Sequence, residues 1–213
     1  MRLTKYTHSC VRLDHEGHAL VIDPGMFSET DTALDGADAV LITHEHPDHI
    51  DVDALTATAH QRTELRIWCP ESVRRQLDGL GDRVTAVEPG ESFDAAGLGV
   101  RAFGGQHALI HADVPMVPNL GYLIADSVYH PGDSFIVPEA GIEMLLLPIH
   151  APWSKIGEVL DFLISVRAPR VLQIHDGLLN QRGIGLVEGH VDRVSQRYAS
   201  RFEHLDSGES VDL

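Results

Sequence analysis

The segment His44-Glu45-His46-Pro47-Asp48-His49 directly follows the apolar run Ala39-Val40-Leu41-Ile42-Thr43. It sets three histidines and an aspartate within six residues at the end of a strand-like stretch. In extended backbone, side chains at i, i+2 and i+4 point to one side. His44, His46 and Asp48 are therefore expected to converge, with a bend after Pro47 bringing in His49. Imidazole nitrogen together with carboxylate oxygen suits zinc and its first-row neighbours. A histidine-rich solvated loop is the plainer alternative, but it does not explain this density of donors at a strand end.

Outward from that segment, short apolar runs recur along the chain. Cys10–Leu13 and Ala19–Ile22 predict a hairpin around Asp14-His15-Glu16-Gly17, closed by the turn Asp23-Pro24-Gly25. Further strands are predicted at Ala39–Thr43, Leu65–Cys69, Val100–Phe103, Leu120–Ala125, Met144–Ile149 and Arg170–Ile174. Ser154 is the expected N-cap of a helix to about Arg167, whose Ile156, Val159, Leu160, Leu163 and Val166 share one face. Weaker helical stretches are Val52–His60, Ser72–Leu77 and Glu188–Ala199. Unbroken apolar strands such as Met144–Ile149 are usually covered on both faces, so the pattern predicts a layered α/β domain. Arg170-Val171-Leu172-Gln173-Ile174-His175-Asp176 repeats the order strand, histidine, acid. Two strands thus deliver a histidine at their C-terminal ends, where open α/β sheets place their sites.

Composition bounds the reading. A chain of 213 residues can bury one substantial core, and a single domain over residues 1–213 is expected. With 43% hydrophobic and 23% charged residues, disordered and fibrous classes are excluded. A formal charge of −16 argues against a nucleic-acid binder working through a broad basic face. The 14 histidines nearly match the 16 lysines and arginines, which points to metal or proton chemistry. The start shows no apolar signal-peptide core, and Met144–Ile149 is too short to span a bilayer. Cys10 and Cys69 read as buried free thiols. The expectation is a cytoplasmic protein acting on a small molecule, with no nucleic-acid or membrane partner; a homo-oligomer stays open.

The pattern His-x-His-x-Asp-His, matched in full by His44, His46, Asp48 and His49, resembles that of the metallo-β-lactamase-fold hydrolases. The resemblance extends along the chain in order. His107 in Phe103-Gly104-Gly105-Gln106-His107 fits the family's third histidine, and Asp133 in Tyr129-His130-Pro131-Gly132-Asp133-Ser134 fits its bridging aspartate. His175 fits the closing histidine, and the turn Ile22-Asp23-Pro24-Gly25 also looks like the family's. The resemblance implies a four-layer αββα sandwich and two divalent metal ions, Zn2+ foremost, with Mn2+ or Fe2+ as alternatives. It implies His44, His46 and His107 at one ion, Asp48, His49 and His175 at the other, and Asp133 between them. Asp48 and Asp133 would be catalytic, Asp48 by orienting a bridging metal-bound hydroxide. His-Glu-His-Pro-Asp-His-Ile-Asp, with Asn119-Leu120-Gly121-Tyr122 before the aspartate turn, looks most like the branch containing ascorbate-6-phosphate lactonase.

Other histidines compete for attention. His111, four residues beyond His107, is the rival third histidine, although His107 follows the strand and the glycine pair. His8 resembles an early histidine of some family branches and is a candidate cleft residue. His150 and Lys155, with Trp153 between them, lie in a loop that could line the cleft. His130 is expected to be structural, and His15, His18, His60, His190 and His204 to be surface residues. Gly97-Leu98-Gly99-Val100-Arg101-Ala102 matches a dinucleotide fingerprint only loosely and precedes a strand instead of opening a helix. No Gly-x-Ser-x-Gly elbow, phosphate loop or Cys-x-x-Cys pair occurs. The expected activity is hydrolysis of a small-molecule ester, lactone or phosphoester. The alternatives are a phosphodiesterase or nuclease on the same fold and a di-iron redox protein.

Overall fold

A computed structural model describes residues 1–213 as fourteen strands in two seven-stranded sheets. In the first, β1 (Arg2–Lys5), β2 (Val11–His15), β3 (His18–Ile22), β4 (Ala39–Leu41), β5 (Arg66–Cys69) and β6 (Val84–Ala86) lie side by side. The second holds β7 (Ser92–Ala95), β8 (Leu98–Gly104), β9 (Leu120–Ile124), β10 (Val128–His130), β11 (Met144–Pro148), β12 (Arg170–Ile174) and β13 (Arg201–Glu203), again in chain order. The last strand, β14 (Ser210–Asp212), returns to pair with β1. Each sheet begins antiparallel, at β1–β3 and β7–β10, and continues parallel, at β3–β6 and β10–β13.

Strand alternation builds the layers. Leu20, Ile22 and Leu41 face the second sheet, which answers with Met144, Leu146, Leu172 and Ile174. The intervening Val21, Val40 and Ile42 face α1 (Thr30–Leu34), α2 (Val52–Gln61) and α3 (Glu71–Gln76). On the other side, Leu145, Leu147 and Val171 face α4 (Ile156–Val166) and α5 (Gln181–Arg197). Both faces of the central strands are buried, which is why they read as unbroken apolar runs. The result is the expected four-layer αββα sandwich. No helix is long and apolar enough to cross a membrane.

Two helix starts differ markedly from the sequence expectation. Ser154 does not cap α4; its hydroxyl closes the preceding turn on Ala151, and Lys155 is the N-cap. Glu158 accepts the Lys155 backbone N–H at 2.8 Å instead. α5 begins at Gln181, seven residues before the predicted start, because Asn180 caps it by accepting from the N–H groups of Arg182 and Gly183. Gly183, Gly185 and Gly189 weaken the helical signal of that first half.

At one end of the sandwich the two sheets are tied together by hydrogen bonds. Tyr122 on β9 donates its hydroxyl to the Ile42 carbonyl at 2.9 Å, and Leu120 N–H donates to Thr43 C=O at 2.9 Å. His175 N–H, after β12, donates to His8 C=O, after β1, at 2.9 Å. This seam holds the candidate site.

Candidate metal centre

Two groups of ligand-type atoms meet at the seam: His44, His46, His107 and Asp133 in one, and His8, Asp48, His49 and His175 in the other. Within each group the atoms lie within 4.8 Å of one another. Asp133 also reaches the second group. Its Oδ1 is 3.0 Å from His49 Nε2 and 3.1 Å from His175 Nε2, while Oδ2 is 3.3 Å from His107 Nε2. The seven residues implied by the sequence resemblance are thus brought together, with His8 as an eighth.

The segment that carries four of them is a turn, not a strand. His49 N–H donates to His46 C=O at 2.9 Å, and Met26 N–H to Pro47 C=O at 2.8 Å. The turn sends His44 and His46 into one group and Asp48 into the other, so the i, i+2, i+4 expectation is right for the first pair only. Gly25 lies beneath it, where an added Cβ would overlap the Asp48 carbonyl.

Four of the histidines have one nitrogen anchored and the other aimed into the cluster. His44 Nδ1 meets Thr43 Oγ1 at 3.0 Å, and His49 Nδ1 donates to Asp23 Oδ2 at 2.7 Å. His107 Nδ1 donates to Ala108 C=O and His175 Nδ1 to His150 C=O, each at 2.6 Å. Such outer partners fix the tautomer that leaves Nε2 with a lone pair. Among the inward atoms, His49 Nε2, His107 Nε2 and Asp133 Oδ1 are buried, and although they lie 3.0–3.3 Å from the cluster atoms they face, none is aligned for a hydrogen bond. Buried polar atoms are rarely left so, and a divalent cation fits this donor set.

The electrostatics favour cation binding. Burial opposes the charge on Asp133, but His49 and His175 outweigh it and hold the carboxyl well below its usual range. Burial likewise opposes ionisation of Asp48, yet the hydrogen bond from His8 and the charge of His49 bring it down to about 2. Burial, chiefly, pushes His44 well below the ordinary imidazole value and His8 down to about 4. In His49 burial is overcome by Asp133 and Asp23, which raise it.

The remaining candidates separate clearly. His8 Nδ1 accepts from Gly177 N–H at 3.2 Å, so Nε2 carries the proton and donates to Asp48 Oδ2 at 3.2 Å. His111 is exposed and faces Asp113, away from the clusters. His150 contributes its carbonyl to His175, and its side chain does not line the cleft. Lys155 is exposed at the α4 N-cap and also lies outside the cleft, contrary to the expectation of a substrate-facing group. Trp153 does line it, and its indole N–H donates to Asp133 Oδ2 at 2.7 Å. His130 is structural: Nδ1 accepts from Gly132 N–H and Nε2 donates to Ser9 C=O.

Three supporting groups were not assigned a role from sequence. Asp23 accepts from Thr43 N–H, Thr43 Oγ1–H and His49 Nδ1–H. Asn119 accepts from Asp133 N–H and donates to Pro131 C=O, which shapes the aspartate loop. Lys5, buried, pairs with Asp176 at 2.7 Å, and Asp176 in turn accepts the His8 N–H. His8, Asp23 and His175 all hold positive φ, at 69°, 49° and 61°. Non-glycine residues persist there only where their surroundings over-determine the backbone. A cavity of about 290 Å³ opens beside the clusters.

This four-layer sandwich, with a histidine–aspartate cluster at the joined ends of its sheets, is that of the metallo-β-lactamase class. The chain belongs to the β-lactamase superfamily, whose model, described as a beta-lactamase superfamily domain, matches residues 2–175. It is 36% identical to Protein Rv0786c of Mycobacterium tuberculosis over 216 residues, covering 99% of both chains. Among solved structures it resembles Igni18, a metallo hydrolase from Ignicoccus hospitalis, with TM-score 0.74 and 22% identity over 99% of this chain and 97% of that one. It also resembles CmlA, a diiron β-hydroxylase from Streptomyces venezuelae, with TM-score 0.76 and 18% identity over 100% of this chain and 54% of that one.

Proposed function

We propose that the protein is a binuclear metal-dependent hydrolase of small-molecule esters, lactones or phosphoesters. One divalent ion would be held by His44, His46 and His107, the other by Asp48, His49 and His175, with Asp133 between them. The observation that carries this reading is the set of buried, unpartnered atoms on His49, His107 and Asp133, each held inward by anchored neighbours. Bound ions of this kind lower the pKa of water to near 7 and polarise a scissile carbonyl or phosphoryl oxygen.

The chain's own residues supply position and charge. Asp48, ionised and steadied by His8, offers a carboxylate at the mouth to orient the attacking water. Trp153 holds the Asp133 carboxylate through its indole N–H, and Asn119 holds the Asp133 backbone N–H. Pro152 and Trp153 form part of the cavity wall beside that carboxylate.

The likeness to a diiron β-hydroxylase supports a second reading, an iron redox protein on the same scaffold. A nuclease is disfavoured by the charge of −16 and by a cavity without Lys or Arg. The test is a hydrolysis screen over lactones, thioesters, phosphomonoesters and phosphodiesters, with protein reconstituted separately with zinc, manganese and iron. Metal-dependent turnover in one class supports the hydrolase. No turnover, together with an iron absorption spectrum that responds to reductant, supports the redox reading.

A further inference from the structure

The five polar side chains lining the cavity, His46, Asp48, His107, Asp133 and His175, all belong to the two clusters. The other six are Phe27, Pro47, Ile110, Pro152, Trp153 and Leu178. The one polar side-chain atom among those six, the Trp153 indole nitrogen, is already committed to Asp133. The chain has only two lysines: Lys5 is buried against Asp176, and Lys155 caps α4 outside the cavity. At the mouth, Phe27, Ile110 and Leu178 stay 45%, 39% and 47% exposed, an apolar rim with nothing packed over it.

Recognition of a phosphate or carboxylate tail takes Arg, Lys or a fork of N–H donors. Above the clusters no side chain of this cavity offers one, so a charged tail would lose its water and gain no side-chain partner. An apolar chain gains by the same burial. Resting on the hydrolase reading above, we propose that the substrate is a compact, uncharged carboxylic ester or lactone bearing a short apolar chain, with that chain against Phe27, Ile110 and Leu178. In the reaction, water's oxygen bonds to the acyl carbon and the bond from that carbon to the ester oxygen breaks. One proton of the water ends on the departing oxygen; the other is released as the new acid ionises. At about 290 Å³ the cavity lies at the small end of ligand pockets, which run from roughly 300 to 1,000 Å³.

The test uses γ-lactones with side chains from methyl to hexyl, and the same ring carrying a terminal phosphate, on zinc- or manganese-loaded protein. Binding of the matching γ-lactams, which resist cleavage, is read separately from Trp153 fluorescence, with Trp153→Phe as the blank. Burial of a methylene contributes ~0.8 kcal/mol, so affinity and kcat/KM are expected to rise two- to fourfold per added carbon until the rim is covered. The phosphorylated analogue should bind at least tenfold more weakly than the hexyl compound. Ile110→Lys or Leu178→Lys should flatten the chain-length dependence and narrow that gap.

Binding indifferent to chain length, or a phosphorylated analogue bound as tightly as the hexyl one, overturns the proposal and leaves the hydrolase reading intact. Chain-dependent lactam binding, with no ester, lactone or phosphoester cleaved by either metal form, overturns the hydrolase reading and the substrate assignment resting on it.

Discussion

Asp23 shows how a single side chain that touches no substrate sets the centre. Its carboxylate accepts three hydrogen bonds, from Thr43 N–H, Thr43 Oγ1–H and His49 Nδ1–H, while fully buried. Asp23→Asn keeps the volume but loses the charge opposite His49, and outer partners of this kind typically contribute 10–100-fold in metal affinity. Competition titration with a chelating dye should therefore show at least a tenfold weaker second ion and a first ion changed far less. Gly25→Ala should be harsher, since its Cβ would displace the Asp48 carbonyl and with it the turn carrying His46, Asp48 and His49. Metal content per chain should fall even where circular dichroism shows the fold retained. Of the seven proposed ligands, His44, His46, Asp48 and His49 were legible from residue type and spacing, and His107, Asp133 and His175 through the family resemblance. Trp153 was read only as part of a loop beside the cleft, and Asp23 and Asn119 only as parts of turns, because their hydrogen-bonding roles exist only once distant segments are brought together. The same limit explains the misjudged backbone at His44–His49: alternation describes a strand, and nothing local announces that the chain has already turned.

Among the elements, the central strands and α4 were readable because burial on two faces or one leaves a clear apolar pattern. The short outer strands were not: β13 is Arg-Phe-Glu and β14 Ser-Val-Asp, both half-exposed, and pairing partners define them more than composition does. The first half of α5 was hidden by its glycines. That helix is also fastened electrostatically. His204, just after β13, contacts Glu188 of α5 through Nδ1 at 2.7 Å and Asp206 through Nε2 at 3.3 Å. Burial works against the charged ring, but these two partners outweigh it and raise its pKa. A raised folded value means the stabilisation is fully present below the unfolded pKa of about 6.5 and is lost as pH rises through the folded value. In urea melts, the stability advantage of the native protein over a His204→Gln variant should shrink as pH rises across that window. An advantage unchanged with pH would detach the helix from this contact.

Across the whole molecule the first sheet supplies His8 and His44–His49, and the second supplies His107, Asp133 and His175. Ions held between them would bind the folded chain and not the unfolded one. At free metal near 100 times Kd, each site adds about 2.7 kcal/mol. For a chain of this size the two sites together amount to roughly 10–20 °C in Tm, at about 2–4 °C per kcal/mol. Calorimetry with and without a chelator should show that difference, and Asp133→Ala should abolish most of it. Of the chain's acidic residues, only Asp48 and Asp133 stand in the two clusters, with Asp23 behind His49, and the cavity above them is lined by apolar side chains. The pairing of ligands around Asp133 is tested most directly by counting metal, element by element, on protein reconstituted with zinc or manganese and freed of excess. Two ions per native chain, and at most one per Asp133→Ala chain, is the expected result; fewer than two on the native chain, or two retained without Asp133, would contradict it.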